Sequence, residues 1–225
     1  MKTEDANNAL IRVFNVSKHY ASKPALINIT LDIFKNEFVY FSGPSGAGKS
    51  TLLKILYLGE DITDGQVLID GMNLARIPRH RAHVLRRKIG IIFQDYKLIP
   101  GKTVYQNIAL VLEAKGFSQR FIQKKVHSVL RTVGMENRQK SFPLSLSGGE
   151  QQKVAIARAV VGEPKIILAD EPTGSLDVDA AEHIFELLRS FHKKGATVLF
   201  ATHDKDLIRN TTHRVIYLKH GRMQV

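Results

Sequence analysis

The sequence predicts an α/β fold, and three observations carry that prediction. Four runs, Phe38 to Phe41, Ile89 to Phe93, Ile166 to Ala169 and Val198 to Ala201, are nearly continuous in apolar residues and of strand length, which suits a parallel sheet covered on both faces. Helical patterns lie between them. Near the N-terminus Ile27, Ile29, Leu31 and Ile33 alternate with Asn28, Thr30 and Asp32, the period-two signature of a half-buried strand and hence of an antiparallel sheet opening the fold. A length of 225 residues fits one large domain, or a core with a modest insertion.

Taken in order, the chain starts Met1-Lys2-Thr3-Glu4-Asp5, without the apolar stretch of a signal peptide, and about ten residues there are expected to form a flexible tail. The first apolar run, Phe38 to Phe41, is followed at once by a glycine-rich segment and then by a helical pattern. From about Thr103 to Leu146 nothing resembles a strand, so this block is expected to be an inserted helical subdomain. Within it Phe121, Ile122, Val126, Val129, Leu130 and Val133 share one helical face, bounded by Ser118 as N-cap and by Gly134. Ser147 and Glu150 form an S-x-x-E capping box ahead of the mostly apolar helix Gln151 to Val161. No window approaches the roughly 18 consecutive apolar residues that a bilayer span demands. The absence of cysteine excludes disulfides, thiolate metal sites and a cysteine nucleophile, and fits a reducing cytoplasm.

Chemistry concentrates where strands end. Gly43-Pro44-Ser45-Gly46-Ala47-Gly48-Lys49-Ser50-Thr51 matches G-x-x-x-x-G-K-[ST] in the strand-to-helix context that a phosphate-binding loop requires. Its backbone N–H groups can curl around phosphate oxygens, Lys49 can reach the β- and γ-phosphates, and Ser50 can ligate Mg²⁺. The strand Ile166 to Ala169 delivers Asp170 and Glu171, one carboxylate for a Mg²⁺ shell and the next to polarise water. Gln94 and His203 follow the other two runs, so all four runs end in a chemically useful residue at the edge where open α/β sheets bind ligands. The capping box explains Ser147 and Glu150. It does not explain the adjacent Gly148 and Gly149, which weaken a helix start and leave bare N–H groups at its positive end, placed for a second anion.

The order of these motifs, with Ser175-Leu176-Asp177 between Glu171 and His203, resembles an ABC-type ATPase domain from Ile11 onward. That resemblance implies a P-loop ABC-ATPase fold with a mostly parallel core sheet, an N-terminal antiparallel β subdomain and the inserted helical subdomain. It further implies ATP and Mg²⁺ as cofactors, with Lys49, Glu171 and His203 catalytic, and Ser50, Gln94 and Asp170 at the metal. Tyr20 would stack on adenine, and Ser147 to Gly149 would contact the ATP held by the opposite subunit of a head-to-tail homodimer. Leu52 to Tyr57, Phe93 to Pro100 and Thr103 to Leu110 resemble the FtsE branch, the bacterial cell-division ATPases. From that follow an integral-membrane FtsX-like partner, control of septal peptidoglycan hydrolysis, and a peripheral place on the inner face of the cell membrane. Ser175 stands where many relatives carry Asn, which leaves lipoprotein-release and exporter ATPases open.

Net charge is +12, from 33 Lys and Arg against 21 Asp and Glu. Arg76, Arg79, Arg81, Arg86, Arg87 and Lys88 contribute half of it in a stretch with no acid between Asp70 and Asp95. A solvated face, an anionic lipid contact or a partner's acidic tail all suit it. A nucleic-acid-handling ATPase is a rival reading from the same charge, but the chain carries no recognisable DNA-binding motif. A nucleotide-binding module without turnover is another. Tyr96, Leu98, Ile99, Val104 and Tyr105 make the connection after Gln94 unusually apolar, so it either packs internally or offers a docking patch for the membrane partner.

Overall fold

The computed structural model describes residues 9–21, 23–174, 176–209 and 211–224; the first eight residues of the expected tail and Ser175 lie outside them. The chain divides into two compact units, Met1–Arg86 with Gly195–Val225, and Arg87–Lys194.

In the first unit, strands β1 (Ala9–Tyr20), β2 (Lys23–Phe34), β4 (Asp64–Ile69) and β5 (Met72–Asn73) form an antiparallel sheet in the order β2-β1-β4-β5. Ile29, Leu31 and Ile33 face inward as the alternation predicts. The pattern slips at Asn28, which takes φ 51°, and Leu26 rather than Ile27 is buried. The register shifts between Val16 paired with Ile29 and Lys18 paired with Leu26, so a bulge exchanges the two faces. Strand β3 (Phe38–Ser42) lies between β8 (Thr197–Thr202) and β9 (Arg214–Lys219), parallel to both, with β10 (Arg222–Gln224) antiparallel to β9. Every residue of β3 and β8 is buried, which is why neither sequence alternates. Helices α1 (Lys49–Leu56), α2 (Ala82–Arg86) and α7 (Lys205–Arg209) complete this unit. Among its cations, Arg79 pairs with Asp61 at 2.7 Å and Arg86 donates to the carbonyls of Tyr57 and Leu58.

The second unit holds the parallel pair β6 (Ile89–Ile92) and β7 (Ile166–Asp170) with α3 (Val104–Glu113), α4 (Gln119–Thr132), α5 (Gly148–Val160) and α6 (Val178–Lys193). The described residues 103–146 contain helices and 3₁₀ turns and no strand. In α4 the residues Ile122, Val126, Val129 and Leu130 are buried, whereas Phe121, expected among them, is 36% exposed and stacks on Phe117 at 4.5 Å. It sits at the edge of the apolar stripe, one helical step off Ile122. Helix α5 packs on α3 and β6.

Candidate nucleotide site

In the first unit the phosphate loop is built by the end of β3. Ser42 pairs with Thr202 of β8, so the loop and His203 leave neighbouring strands at the same end. Gly43 has φ 149°, and a Cβ there would lie 2.1 Å from the Leu218 carbonyl oxygen of β9; only glycine fits. The loop then runs through exposed Pro44, Ser45 and Gly46 and buried Ala47 to Gly48, the N-cap of α1. This helix start differs from those of α3, α5 and α6, and shares with α4 the lack of a side-chain cap, since Ser118, the expected N-cap of α4, makes no side-chain cap hydrogen bond. Thr103, Ser147 and Asp177 each accept a backbone N–H at the starts of α3, α5 and α6. Gly48 offers α1 no side-chain cap, and no acid occupies its first turn. What sets α1 apart is the glycine loop ahead of it and the buried Lys49 at its first position, which together suit its positive end to an anion.

Lys49 is only 4% exposed, and its Nζ donates to the carbonyls of Gly43 and Pro44 at 2.7 and 3.2 Å. The ammonium folds over the loop it serves. Ser50 and Thr51 follow it, both half-buried. Tyr20 ends β1, 41% exposed, with the Lys18 ammonium 4.9 Å from its ring centre.

The second unit carries the remaining residues. Ile92 pairs with Ala169, so exposed Gln94 and half-buried Asp170 leave the same end of the β6–β7 pair. Glu171 takes φ 46°, a left-handed conformation that non-glycine residues adopt at a cost and that recurs at functional sites. Its carbonyl accepts the Gly174 N–H at 3.2 Å. Ser147, Gly148 and Gly149 open α5: the Ser147 Oγ accepts the Glu150 N–H, and the Glu150 carboxylate accepts the Ser147 N–H at 2.9 Å. The Ser147 N–H holds the Glu150 carboxyl below the usual carboxylate range, and Arg138 at 3.3 Å adds to that effect. A Cβ on Gly148 would stand 3.1 Å from the Tyr96 hydroxyl, and one on Gly149 3.6 Å from Ala180. The connection after Gln94 is mixed in character: Val104 is fully buried, Ile99 is 41% exposed, and Tyr96, Leu98 and Tyr105 lie between.

Two residues that organise this connection escaped sequence reasoning. Asn107, buried on α3, accepts the Ile99 N–H and donates to the carbonyls of Ile99, Lys102 and Thr103. Arg158 of α5 donates to the carbonyls of Tyr96 and Lys97. The only available signal was a polar residue on an otherwise apolar helix face.

The donor set also bears on a metal. Among the described residues no group of three or more His, Cys, Asp or Glu could hold one. Mg²⁺ is a hard cation that is ordinarily bound through one or two protein oxygens, water and substrate phosphates. A hydroxyl at Ser50, the amide of Gln94 and the carboxylate of Asp170 fit that chemistry.

The family described as ABC transporter matches residues 26–174. The chain belongs to the ABC transporter family. It is 44% identical over 216 residues to the "Cell division ATP-binding protein FtsE" of Streptococcus pneumoniae serotype 2 (strain D39 / NCTC 7466), spanning 96% of this chain and 94% of that protein. To the proteins of the same name from Bacillus subtilis (strain 168) and Escherichia coli (strain K12) it is 43% identical, over 94% and 95% of this chain and 93% and 97% of theirs. A dimeric structure of the ABC transporter cassette MJ0796 superposes with TM-score 0.89 at 39% identity, covering 96% of this chain and 97% of that one. A post-hydrolysis dimer of the same cassette, bound to ADP and Pi, gives 0.89 at 38% with the same coverage. The chain is thus an ATP-binding ABC ATPase of the cell-division type, with an antiparallel β subdomain and a mixed sheet. No described helix is long and apolar enough to cross a membrane.

Proposed function

We propose that the chain is the ATP-hydrolysing subunit of an FtsE/FtsX-like cell-division complex. It dimerises on Mg-ATP at the inner face of the cell membrane and signals through an integral-membrane partner to control septal peptidoglycan hydrolysis. The observation that carries the nucleotide chemistry is the start of α1, an uncapped positive helix end under a glycine loop with a buried lysine folded across it. The opening of α5 offers a second glycine-lined helix start on the same chain, which favours two sites shared across a homodimer; the cassette it is similar to is dimeric.

In this reading Lys49 leaves the Gly43 and Pro44 carbonyls for the β- and γ-phosphates, while loop N–H groups and the α1 dipole hold the remaining negative charge. Ser50, Gln94 and Asp170 would hold Mg²⁺, which would supply positive charge against the phosphates. Glu171 orients and deprotonates the attacking water, and His203 contacts the γ-phosphate. Tyr20 supplies a ring face for adenine. Ser147, Gly148 and Gly149 meet the ATP of the opposite subunit. The partner docks on residues 94–112, which Asn107 and Arg158 keep in a defined shape, and the stretch 76–88 contacts anionic lipid.

The test is Glu171→Gln. Loss of a general base typically costs about 10²- to 10⁴-fold in turnover. The variant should bind ATP, release phosphate that much more slowly, and accumulate as a dimer by light scattering. Near wild-type phosphate release would remove Glu171 from the mechanism. Pull-down of the tagged chain from detergent-solubilised membranes, followed by mass spectrometry, tests the partner.

A further inference from the structure

The second unit holds a guanidinium that the nucleotide chemistry does not use. Arg158 stands in the run Val154 to Val160 of α5, whose other residues are all buried, and burial pushes it below the ordinary arginine value. A cation so placed needs strong compensation. It finds two carbonyls, those of Lys97 and Tyr96, each at 2.6 Å from one arm of the fork.

Those carbonyls belong to an unusual turn. Tyr96 and Lys97 both take positive φ, 59° and 51°, which bulky L-residues disfavour. The Lys97 N–H donates to the Asp95 carbonyl, an i to i+2 closure of the rare, strained kind. Gln94 lies immediately before this turn. The Tyr96 ring reaches from it to the start of α5, where its hydroxyl would be 3.1 Å from a Cβ on Gly148. One strained turn is therefore bonded to α5 through Arg158 and lies close to its start through the Tyr96 hydroxyl. A planar two-armed donor matches two adjacent carbonyls where a lysine ammonium would not.

We propose that Arg158 is a positioning residue for ATP hydrolysis: by clamping the Tyr96 and Lys97 carbonyls it holds the left-handed turn that fixes Gln94 relative to the start of α5. This rests on the reading that Gln94 serves the nucleotide. Arg158 touches no substrate, so its loss acts on turnover and not on nucleotide affinity.

The experiment compares Arg158→Lys, Lys97→Gly and the double variant in the full chain, reading phosphate release, affinity for a fluorescent ATP analogue, and hydrogen exchange of residues 95–99. Arg158→Lys should lower kcat about 10- to 100-fold, as small misplacements near a reacting centre do, leave affinity within about twofold, and speed exchange in the turn. Glycine adopts positive φ without strain, so Lys97→Gly should restore most of the kcat lost in Arg158→Lys, the double variant being read against Lys97→Gly alone, which also lacks the Lys97–Asp95 ion pair. A purely structural arginine would not be rescued by glycine at a loop position. Unchanged kcat in Arg158→Lys with faster exchange overturns the proposal, and so does a loss that Lys97→Gly does not recover. Should Arg158→Lys fail to fold, Lys97→Pro, which cannot take positive φ, breaks the turn while leaving α5 intact. It must show the same kcat loss, and normal turnover there also overturns the proposal. Gln94→Ala is run alongside: full turnover in that variant refutes the role of Gln94 itself, a failure separate from that of the clamp.

Discussion

At Gly43 and Gly46 the phosphate loop imposes two different demands. Both have positive φ, 149° and 75°, but a Cβ on Gly43 meets the Leu218 carbonyl oxygen at 2.1 Å while one on Gly46 meets nothing within 4 Å. Backbone strain alone makes Gly46→Ala cost about 1 to 2 kcal/mol. Gly43→Ala adds a collision with backbone that cannot move without displacing β9, and should cost more than about 3 kcal/mol. Urea unfolding midpoints measure both. Equal losses would mean that the loop shifts freely away from β9 and that the close approach carries no structural weight. The motif was legible in the sequence as a chemical pattern. The identity of the atom that forbids a side chain at Gly43 was not, because that atom is a carbonyl from the far end of the chain.

Helix α5 shows how far a single element could be read in advance. Its start was written in the sequence as Ser147 and Glu150, since capping is local and both partners lie within one turn. The charge of Glu150 also predicts a pH dependence. Its folded carboxyl sits below the ordinary value, held there by the Ser147 N–H and then by Arg138. Its contribution is therefore fully present above the unfolded carboxylate range and is lost as pH falls through the lowered folded value. Glu150→Gln keeps the cap geometry without the charge. The stability difference between wild type and variant should hold constant above about pH 6 and shrink below about pH 4, read from thermal melts. A difference that grows toward acid would reverse the assignment. Arg158, on the same helix, was illegible for the opposite reason: its acceptors are backbone carbonyls, which leave no trace in residue identity. The bulge at Asn28 was hidden likewise, because polar Asn28 sits between Ile27 and Ile29 and preserves an alternation that the backbone breaks.

For the whole molecule, the fold class and the strands that carry Gln94, Asp170 and His203 followed from apolar runs and their ends. How copies of the chain associate is a property of surfaces and is not encoded in those runs. The two glycine-lined helix starts, at α1 and α5, predict complementation. Lys49→Ala and Gly148→Asp proteins, each inactive alone, should regain phosphate release when mixed, because one site per heterodimer is intact. A silent mixture containing verified heterodimers would argue against shared sites. One further feature bears on when the protein becomes competent. The loop that meets phosphate leans on the last strands: Gly43 abuts Leu218 of β9, the Gly221 N–H between β9 and β10 donates to the Ala47 carbonyl, and the Gly221 carbonyl accepts the Ile27 N–H. A ribosome adding about 5 to 20 residues per second therefore synthesises every nucleotide motif before the props beneath the first of them exist. A released chain truncated after Thr212 would carry Lys49, Glu171 and His203 yet should capture no ATP on a nucleotide resin, because the carbonyl of Leu218 and the N–H of Gly221 that shape the loop are missing; capture equal to that of the full chain would show that the loop forms without them.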